Sequence, residues 1–376
     1  MRLVWQILLV PILFSTHHLA FGTETDQFTT PTTRLYDIGP ALSRRVVEII
    51  ESDCSGETPE EILFKRVGRN ILTSRLTKWA TRIRNEDAPV AFRPSIFGSI
   101  YRTVAAPVPI SFWFDAPTVY VHGYYMGIDK IDHFFQQGHS YFKVFMRKEA
   151  EGAGPAAATA AAVVHGVKQE STYYGTRFSG VYSNSDLAAN FAGMKFYLNL
   201  RHAVVIGDHL LPPLFEHSAG AWRLRGGVDP DRVLEPFLSN HLDESLNPSR
   251  YAFSRGSIRA RIRGRCATWT SFYADRLELV AKSGQSFASN WFGEEYGHWL
   301  PPTAEVSIAT ECDEILRNHQ SESALIRELG PRQGASSGHT VPSEMAGNPI
   351  HRSDRPPREW FHGSRRARAF SRMASQ

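Results

Sequence analysis

The chain has 376 residues, of which 42% are hydrophobic and 12% aromatic, so it has enough apolar material for one large domain or two smaller ones. The net charge is +4, but the last 26 residues carry seven arginines and only two acidic residues, which leaves the remainder near −1. The basic character therefore belongs to the tail, and it argues against sequence-specific nucleic acid binding by the folded part.

The first 22 residues have the features of a secretory signal peptide. Arg2 precedes an apolar run from Leu3 to Phe14, and Ala20 and Gly22 occupy the small-residue positions of a cleavage site. The apolar run is about half the roughly 20 residues that a membrane-spanning helix needs, which favours cleavage over a permanent anchor. We expect an exported protein, periplasmic or secreted.

Three cysteines remain after the predicted cleavage, at Cys54, Cys266 and Cys312. In an oxidising compartment they allow one disulfide and one free thiol, with three alternative pairings. They form no C-x-x-C motif, which argues against a thiolate zinc site or a redox dithiol.

The first half of the chain reads as a polar segment followed by helices and then an extended region. Residues 23–37 are Thr-rich and predicted to be flexible, and 38–52 have helical apolar spacing. Thr58, Pro59 and Glu61 form the pattern of a capping box at the start of the next helix. Proline, aromatic and β-branched residues mix from Ala88 to Val121, which predicts an extended or loop segment.

Three helices are predicted in the most apolar third of the chain. The first begins near Asp129, and the second is the Ala-rich stretch that follows Pro155. The third begins near Ser183, which has the spacing of a capping box with Asp186, and ends near Leu200. Because small side chains allow close approach, we expect the Ala-rich helix to lie between its neighbours.

The last part of the folded region gives less uniform signals. A helix is predicted from Asp229 to Asn247, and another from Thr303 to Arg317. Between them, apolar residues from Tyr251 to Tyr273 favour a helix, although alternating arginines also fit a strand. The arginines are interpreted as a solvated face, with an anion contact as the alternative.

The overall prediction is a mainly α protein: a multi-helix globular domain with an extended or loop segment before the central helices and a disordered C-terminal tail. The predicted boundaries are a signal peptide at 1–22, a helical globular region at 23–328 with a polar helical core at about 123–200, and a basic tail at 329–376. The tail is a candidate for contact with the envelope or another anionic surface.

Polar side chains recur inside the three central helices, where burial is unfavourable unless the groups pair, hydrogen-bond or bind a metal. The catalytic candidates are Asp129, His133, Glu170 and Asp186, and the binding candidates are Lys130, Lys168 and Asn190. Asp129 and His133 lie four residues apart on one helix face, so the carboxylate could orient the imidazole or both could bind one metal.

Each of these candidates also has an ordinary structural explanation. Asp129 and Asp186 each lie at the start of a predicted helix, where a carboxylate can cap the backbone N–H groups. His133 can be a buried histidine of the core whose hydrogen bonds are satisfied. Glu170 ends an apolar helix before two tyrosines, and such shielding would favour its acid form, as in a general acid.

Two downstream clusters offer imidazole and carboxylate groups, one around Asn240, His241, Asp243 and Glu244 and the other at Glu294, Glu295 and His298. Such groups suit zinc, manganese or another first-row divalent metal, and could join the first cluster across the fold. The metal candidates are therefore His133, His241, Glu294 and His298, with surface charge as the alternative explanation and no zincin motif present.

The ordered motifs of the central helices resemble those of the VanZ-like and YfiM-like bacterial envelope proteins. The first motif has Asp129, Lys130, His133 and Phe134; the second, an Ala-rich helix, ends in Lys168 and Glu170; the third has Ser183, Asp186, Leu187, Ala189, Asn190 and Gly193. The resemblance covers about 70 residues and implies a common helical core with shared polar positions, but no activity. The chain differs from those families in three features. One residue separates Lys168 from Glu170, no lipoprotein cysteine follows the signal segment, and we expect a soluble exported chain.

Two functions are consistent with these patterns. The first is a non-catalytic or binding protein of the bacterial envelope, in which the polar groups form an inter-helix network. The alternative is an envelope hydrolase in which Glu170 is the acid or base, and His133, oriented by Asp129 or Asp186, is a base or metal ligand. No nucleotide or nucleophile-elbow motif accompanies them.

Overall fold

The computed structural model describes residues 24–68, 74–95, 97–103, 116–172, 180–207, 209–252, 254–273 and 306–316. This part of the chain is rich in helix but also contains short antiparallel sheets, so a purely helical architecture is not correct. The predicted signal peptide, the basic tail, and the cluster of Glu294, Glu295 and His298 lie outside the described residues.

The N-terminal helices form as their sequence predicts. Helix α1 covers Gly39–Glu51 and buries an apolar face that includes Leu42, Val46 and Ile50. Helix α2 covers Pro59–Leu63; the Thr58 side chain accepts from the Glu61 backbone and the Glu61 side chain accepts from the Thr58 backbone, which confirms the capping box. A wider π turn continues α2 over Phe64–Gly68, and helix α3 covers Arg75–Ala80.

Much of the segment that precedes α1 is buried, so the prediction that 23–37 is flexible throughout was wrong. Residues 24–27 are all buried, and Thr25 and Asp37 make single bridges to Ala116 and Tyr120. A Thr-rich composition alone did not reveal this, because the burial depends on partners some 90 residues further along the chain.

The predicted extended region contributes two strands to a small antiparallel sheet in the order β1-β2-β3, and the third strand follows directly after it. Its strands are β1 (Ala91–Phe92), β2 (Thr118–Val121) and β3 (Tyr124–Gly127), and Val119 pairs with Met126. The turn between β2 and β3 places His122 and Gly123 at φ values of 48° and 87°, respectively. A short 3₁₀ turn, Ile100–Thr103, lies between β1 and β2.

The three central helices form close to their predicted positions. Helix α4 (Asp129–Asp132) runs through a π turn, His133–Gln137, into α5 (Gly138–Ala150), followed by α6 (Pro155–Thr172) and α7 (Asn184–Asn199).

Helix α5, and not the Ala-rich α6, lies between its two neighbours. The aromatic residues Tyr141 and Phe142 of α5 are buried, and such rings bury much more apolar area than the alanines of α6. Small residues also allow α7 to approach the π turn before α5 closely, since a Cβ on Gly193 would lie 2.0 Å from the carbonyl oxygen of Phe134.

The stretch after α7 forms two hairpins. Strands β5 (Val204–Ile206) and β6 (His209–Leu211) pair in one, and β7 (Phe215–Ser218) and β8 (Ala221–Leu224) pair in the other. Strand β4 (Val181–Tyr182), just before α7, pairs with β9 (Arg250–Tyr251).

The predicted helix from Asp229 to Asn247 is not formed, and only the 3₁₀ turns Glu235–Phe237 and Asn240–Leu242 occur there. Pro236 cannot donate a helical hydrogen bond. The Asp243 carboxylate accepts from the Ser245 backbone at 2.8 Å, and the Ser239 hydroxyl accepts from the His241 backbone at 3.3 Å. Such local side-chain bonds compete with a continuous helix.

The helix prediction for the arginine-rich stretch is confirmed. It contains α8 (Arg255–Arg263) and α9 (Cys266–Phe272), and α10 (Ile308–Glu311) lies within the predicted last helix. Cys266 and Cys312 form a disulfide, and Cys54 is an exposed free thiol. Arg259 and Arg263 pair with the buried Glu311 carboxylate, which ties α8 to α10.

Two groups of apolar side chains form the interior of the described part. The larger one is built by α1, α2, the sheet and the central helices, and the smaller one by α8, α9 and the residues around Val306. Among the residues with a described structure, no helix is both long enough and apolar enough to cross a membrane.

Candidate functional site

The central feature of the candidate site is the buried side chain of Lys130, which has no exposed surface. Its ammonium group lies 2.6 Å from Asp129 Oδ2 and 2.5 Å from Asp186 Oδ1, and also contacts Glu244 Oε1. An ammonium has three N–H donors, and here three carboxylates are present to accept them. We call Asp129, Lys130, His133, Asp186, Asn190 and Glu244 the Lys130 network.

The Asp129 carboxylate binds Lys130 and does not cap its own helix. The cap position of α4 is Ile128, and no side chain caps it. The Thr25 hydroxyl donates to Asp129 Oδ1 at 2.6 Å, and a Cβ on Gly127 would lie 2.1 Å from the same oxygen. A glycine at 127 is therefore required for the Asp129 carboxylate to reach both Thr25 and Lys130.

Asp186 is also not the cap of its own helix. The Ser183 hydroxyl caps α7 by accepting from the Asp186 backbone at 3.1 Å, as the spacing predicts. This leaves the Asp186 carboxylate free to bind both Lys130 and His133. These two cations hold the pKa of Asp186 well below its usual range, against the opposing effect of burial.

His133 is held by groups on α7. Its Nε2 lies 3.1 Å from Asp186 Oδ2 and its Nδ1 lies 3.1 Å from Asn190 Oδ1. Burial alone would lower the imidazole pKa, but Asp186 raises it to about 9, so the ring carries a proton on both nitrogens at neutral pH. His133 is therefore oriented by Asp186 and not by Asp129. The His133 side chain remains 19% exposed.

Glu170 lies beside the network in its acid form. Its side chain is 2% exposed, and its Oε1 accepts from the Ser183 backbone at 3.1 Å. Burial, and next the nearby Asp186 charge, raise its pKa to about 8. The expectation that shielding favours the acid form of this carboxyl group is consistent with this environment.

Two acidic residues of the site were not among the catalytic candidates. Glu244, from the cluster around His241, joins the network through Lys130 and accepts from the Ser183 hydroxyl at 2.8 Å. Glu24 is buried nearby, and its pKa is raised well above its usual range by burial and then by Asp186 and Glu244. Five carboxyl groups thus surround two cations, which explains why some of them keep their protons.

Other predicted site residues lie elsewhere. Lys168 is exposed on α6, so it is not part of a buried site. His241 is buried, and its Nδ1 is 2.7 Å from the Ser239 hydroxyl. It is not in the one group of metal-type side chains found among the described residues, which consists of Asp129, His133 and Asp186.

That group has the donor types of a divalent metal site, with candidate ligand atoms within 4.8 Å of one another. However, the Lys130 ammonium contacts both Asp129 and Asp186. A metal ion bound there would place two further positive charges next to a buried ammonium. The donor set therefore fits Lys130 better than it fits a metal.

Chemically, the site can hold two positive charges, on Lys130 and His133, together with carboxyl groups that keep their protons. The signals for Asp129, Lys130, His133, Glu170, Asp186 and Asn190 were present in the sequence. Nothing local marked Glu24 or Thr25, which lie about 100 residues or more from their partners in the site.

No protein-family model, curated protein or solved structure matches this chain. The resemblance to the VanZ-like and YfiM-like envelope proteins therefore stays a prediction from the motifs alone.

Proposed function

We propose that the chain is an exported bacterial protein, periplasmic or secreted, with a binding and non-catalytic role, and that the Lys130 network fixes the packing of its interior. The observation that carries this proposal is the complete burial of an ammonium group whose three donors face three carboxylates. A group that is surrounded in this way has no donor left for a substrate.

The connectivity of the network supports a structural role. It links Thr25, helix α4, the first turn of α7 and the segment around Glu244, which are far apart in the sequence. Buried ion pairs add little to net stability compared with apolar residues, but one broken partner leaves a buried charge without compensation. Such a network therefore raises the free energy of any alternative packing in which these segments are misaligned, because a charge would then be buried without its partner.

Export is supported by the disulfide between Cys266 and Cys312, because structural disulfides persist in oxidising compartments. The test is fractionation of cells that express the full chain, with mass measurement of the product. We expect a protein outside the cytoplasm that begins near Thr23; a full-length cytoplasmic product would contradict this part of the proposal.

A second function, an envelope hydrolase, is favoured by one specific observation. Glu170 has a pKa of about 8 and lies beside His133, whose ring is partly exposed. A carboxylic acid that keeps its proton at neutral pH can act as a general acid.

The variant Asp186→Asn distinguishes the two functions. If the network is structural, losing this carboxylate should reduce the free energy of unfolding by about 3 kcal/mol, because Lys130 and His133 both lose a buried partner. Stability that is equal or higher in the variant would instead indicate that these charged groups are held at the expense of stability, as is common in enzyme sites.

The matched control is Asp231→Asn, which removes a carboxylate from an exposed pair with Arg44. Exposed pairs contribute about 1 kcal/mol or less, so this variant should resemble the wild type in urea unfolding. Equal stability of the Asp186 variant, the Asp231 variant and the wild type would refute the structural role.

A further inference from the structure

A pocket of about 340 Å³ lies between α1, the π turn after α2, and α3. Its lining includes Arg45 of α1, Arg66 of the π turn, and Arg75 and Trp79 of α3, with Ile49 and Leu76 among its apolar residues. None of these residues belongs to the Lys130 network, so an inference about the pocket does not depend on the function proposed above.

The charge of this pocket is positive. Arg45 pairs with Glu48 and Arg66 pairs with Asp53, each at 3.0 Å. Within the described ranges no carboxylate pairs with Arg75, which is exposed at the start of α3. Among the described residues of the pocket, three guanidinium groups thus accompany two carboxylates, which leaves one positive charge for a ligand.

The two existing ion pairs do not prevent a ligand from binding to their arginines. The side chains of Arg45 and Arg66 are 43% and 62% exposed, respectively, and exposed pairs are worth about 1 kcal/mol or less. A guanidinium offers five N–H donors in a planar fork, so it can bind a carboxylate with two parallel hydrogen bonds.

The rest of the lining is apolar. Leu76 and Val67 are almost fully buried beneath the pocket, and the half-buried Trp79 packs against the larger apolar core. An indole ring provides a flat face for an apolar or aromatic group. The volume is at the lower end of the range of about 300–1,000 Å³ that small-molecule sites occupy.

We propose that this pocket is a binding site for a small organic carboxylate with an apolar or aromatic body. Arg75 and Arg66 bind the carboxylate, and the apolar body packs against Trp79 and Leu76. A single negative charge matches the one positive charge in excess, and an inorganic anion would leave the apolar half of the pocket unused.

Titration calorimetry with 2-naphthoate on the purified protein tests the proposal. We expect saturable binding with a 1:1 stoichiometry, at least tenfold tighter than the binding of the uncharged 2-naphthalenemethanol or of inorganic phosphate. Arg75→Gln should weaken naphthoate binding at least tenfold, whereas Arg147→Gln, which changes an exposed arginine of α5, should have no effect.

Because Arg75 is exposed, its substitution should leave the fold intact, and unfolding by urea verifies this. Absence of naphthoate binding would overturn the proposal. Equal affinity for phosphate would also overturn it, as would unchanged affinity in the Arg75 variant. The outcome is independent of the Asp186→Asn experiment, since the two sites share no residue.

Discussion

The substitution Lys130→Met removes the buried positive charge and keeps most of the volume of the side chain. In the native protein this ammonium has no exposed surface and contacts Asp129, Asp186 and Glu244. The apolar stem of lysine is replaced by a flexible apolar chain of similar length, so little packing should be lost. The principal effect is therefore electrostatic.

The expected loss follows from what remains after the substitution. Three carboxyl groups would face each other in the interior, and among the described residues His133 is the one cation that would still contact one of them. Removing one partner of a buried ion pair is typically destabilising by about 3–5 kcal/mol, and we expect a value in this range at pH 7. The loss should be smaller at pH 5, because the carboxyl groups can relieve their repulsion by taking up protons.

Urea unfolding, followed by circular dichroism at both pH values, measures this loss. The matched control is Lys148→Met, which removes an exposed lysine paired with Glu151 and should change stability by about 1 kcal/mol or less at either pH. A Lys130 variant within 1 kcal/mol of the wild type at pH 7 would refute the reasoning, as would a loss that is larger at pH 5.

Three further predictions concern packing, protonation and the disulfide. Gly193→Ala should lower stability by about 1–3 kcal/mol, because the added Cβ would lie 2.0 Å from a backbone oxygen. Gly256→Ala lies in a helix with open space around it and should raise stability by up to about 1 kcal/mol. Thermal unfolding compares the two variants. Glu170 has a pKa of about 8 in the folded protein against a reference of 4.5, so the folded protein holds an extra proton between these pH values. The free energy of unfolding should therefore fall as the pH rises through this window. Glu170→Gln should make the free energy of unfolding less dependent on pH, and an equally steep pH dependence in the variant would contradict this prediction. Cys266→Ser should lower stability by about 2–4 kcal/mol, and a thiol assay should find one reactive group, Cys54, on the native wild type; three reactive thiols would disprove the pairing.

Local sequence signals predicted the helices whose start is determined by nearby residues. The capping residues Thr58 and Ser183 accept from the backbone three positions later, as their spacing indicates. The apolar spacing of α1 likewise predicted the buried face that includes Val46. These elements form because the determining contacts lie within one or two turns of helix.

The same kind of signal failed where side chains compete with the helix. Apolar spacing predicted a helix from Asp229 to Asn247, but Pro236, Ser239 and Asp243 satisfy the backbone in other ways. Periodicity records which residues are apolar and does not record these alternative hydrogen bonds.

The site was predictable in part. Charged residues inside apolar helices indicated that Lys130, Asp186 and their neighbours would meet, since burial of unpaired charge is so unfavourable. The downstream cluster that includes Glu244 was recognised as a possible partner, but no signal pointed to the segment before α1, so Glu24 and Thr25 were missed. Sequence spacing also could not distinguish capping from ion pairing for Asp186, because a carboxylate in the first turn of a helix is suited to either.

The structural role of the Lys130 network requires that the Lys130 ammonium occupies the position between the carboxylates that a metal would otherwise take. A crystal structure of the native protein, grown in the presence of zinc and manganese, tests this directly. We expect Lys130 Nζ within hydrogen-bond distance of Asp129, Asp186 and Glu244 and no metal among them. A metal ion bound by Asp129, His133 and Asp186, with the lysine displaced, would contradict the account.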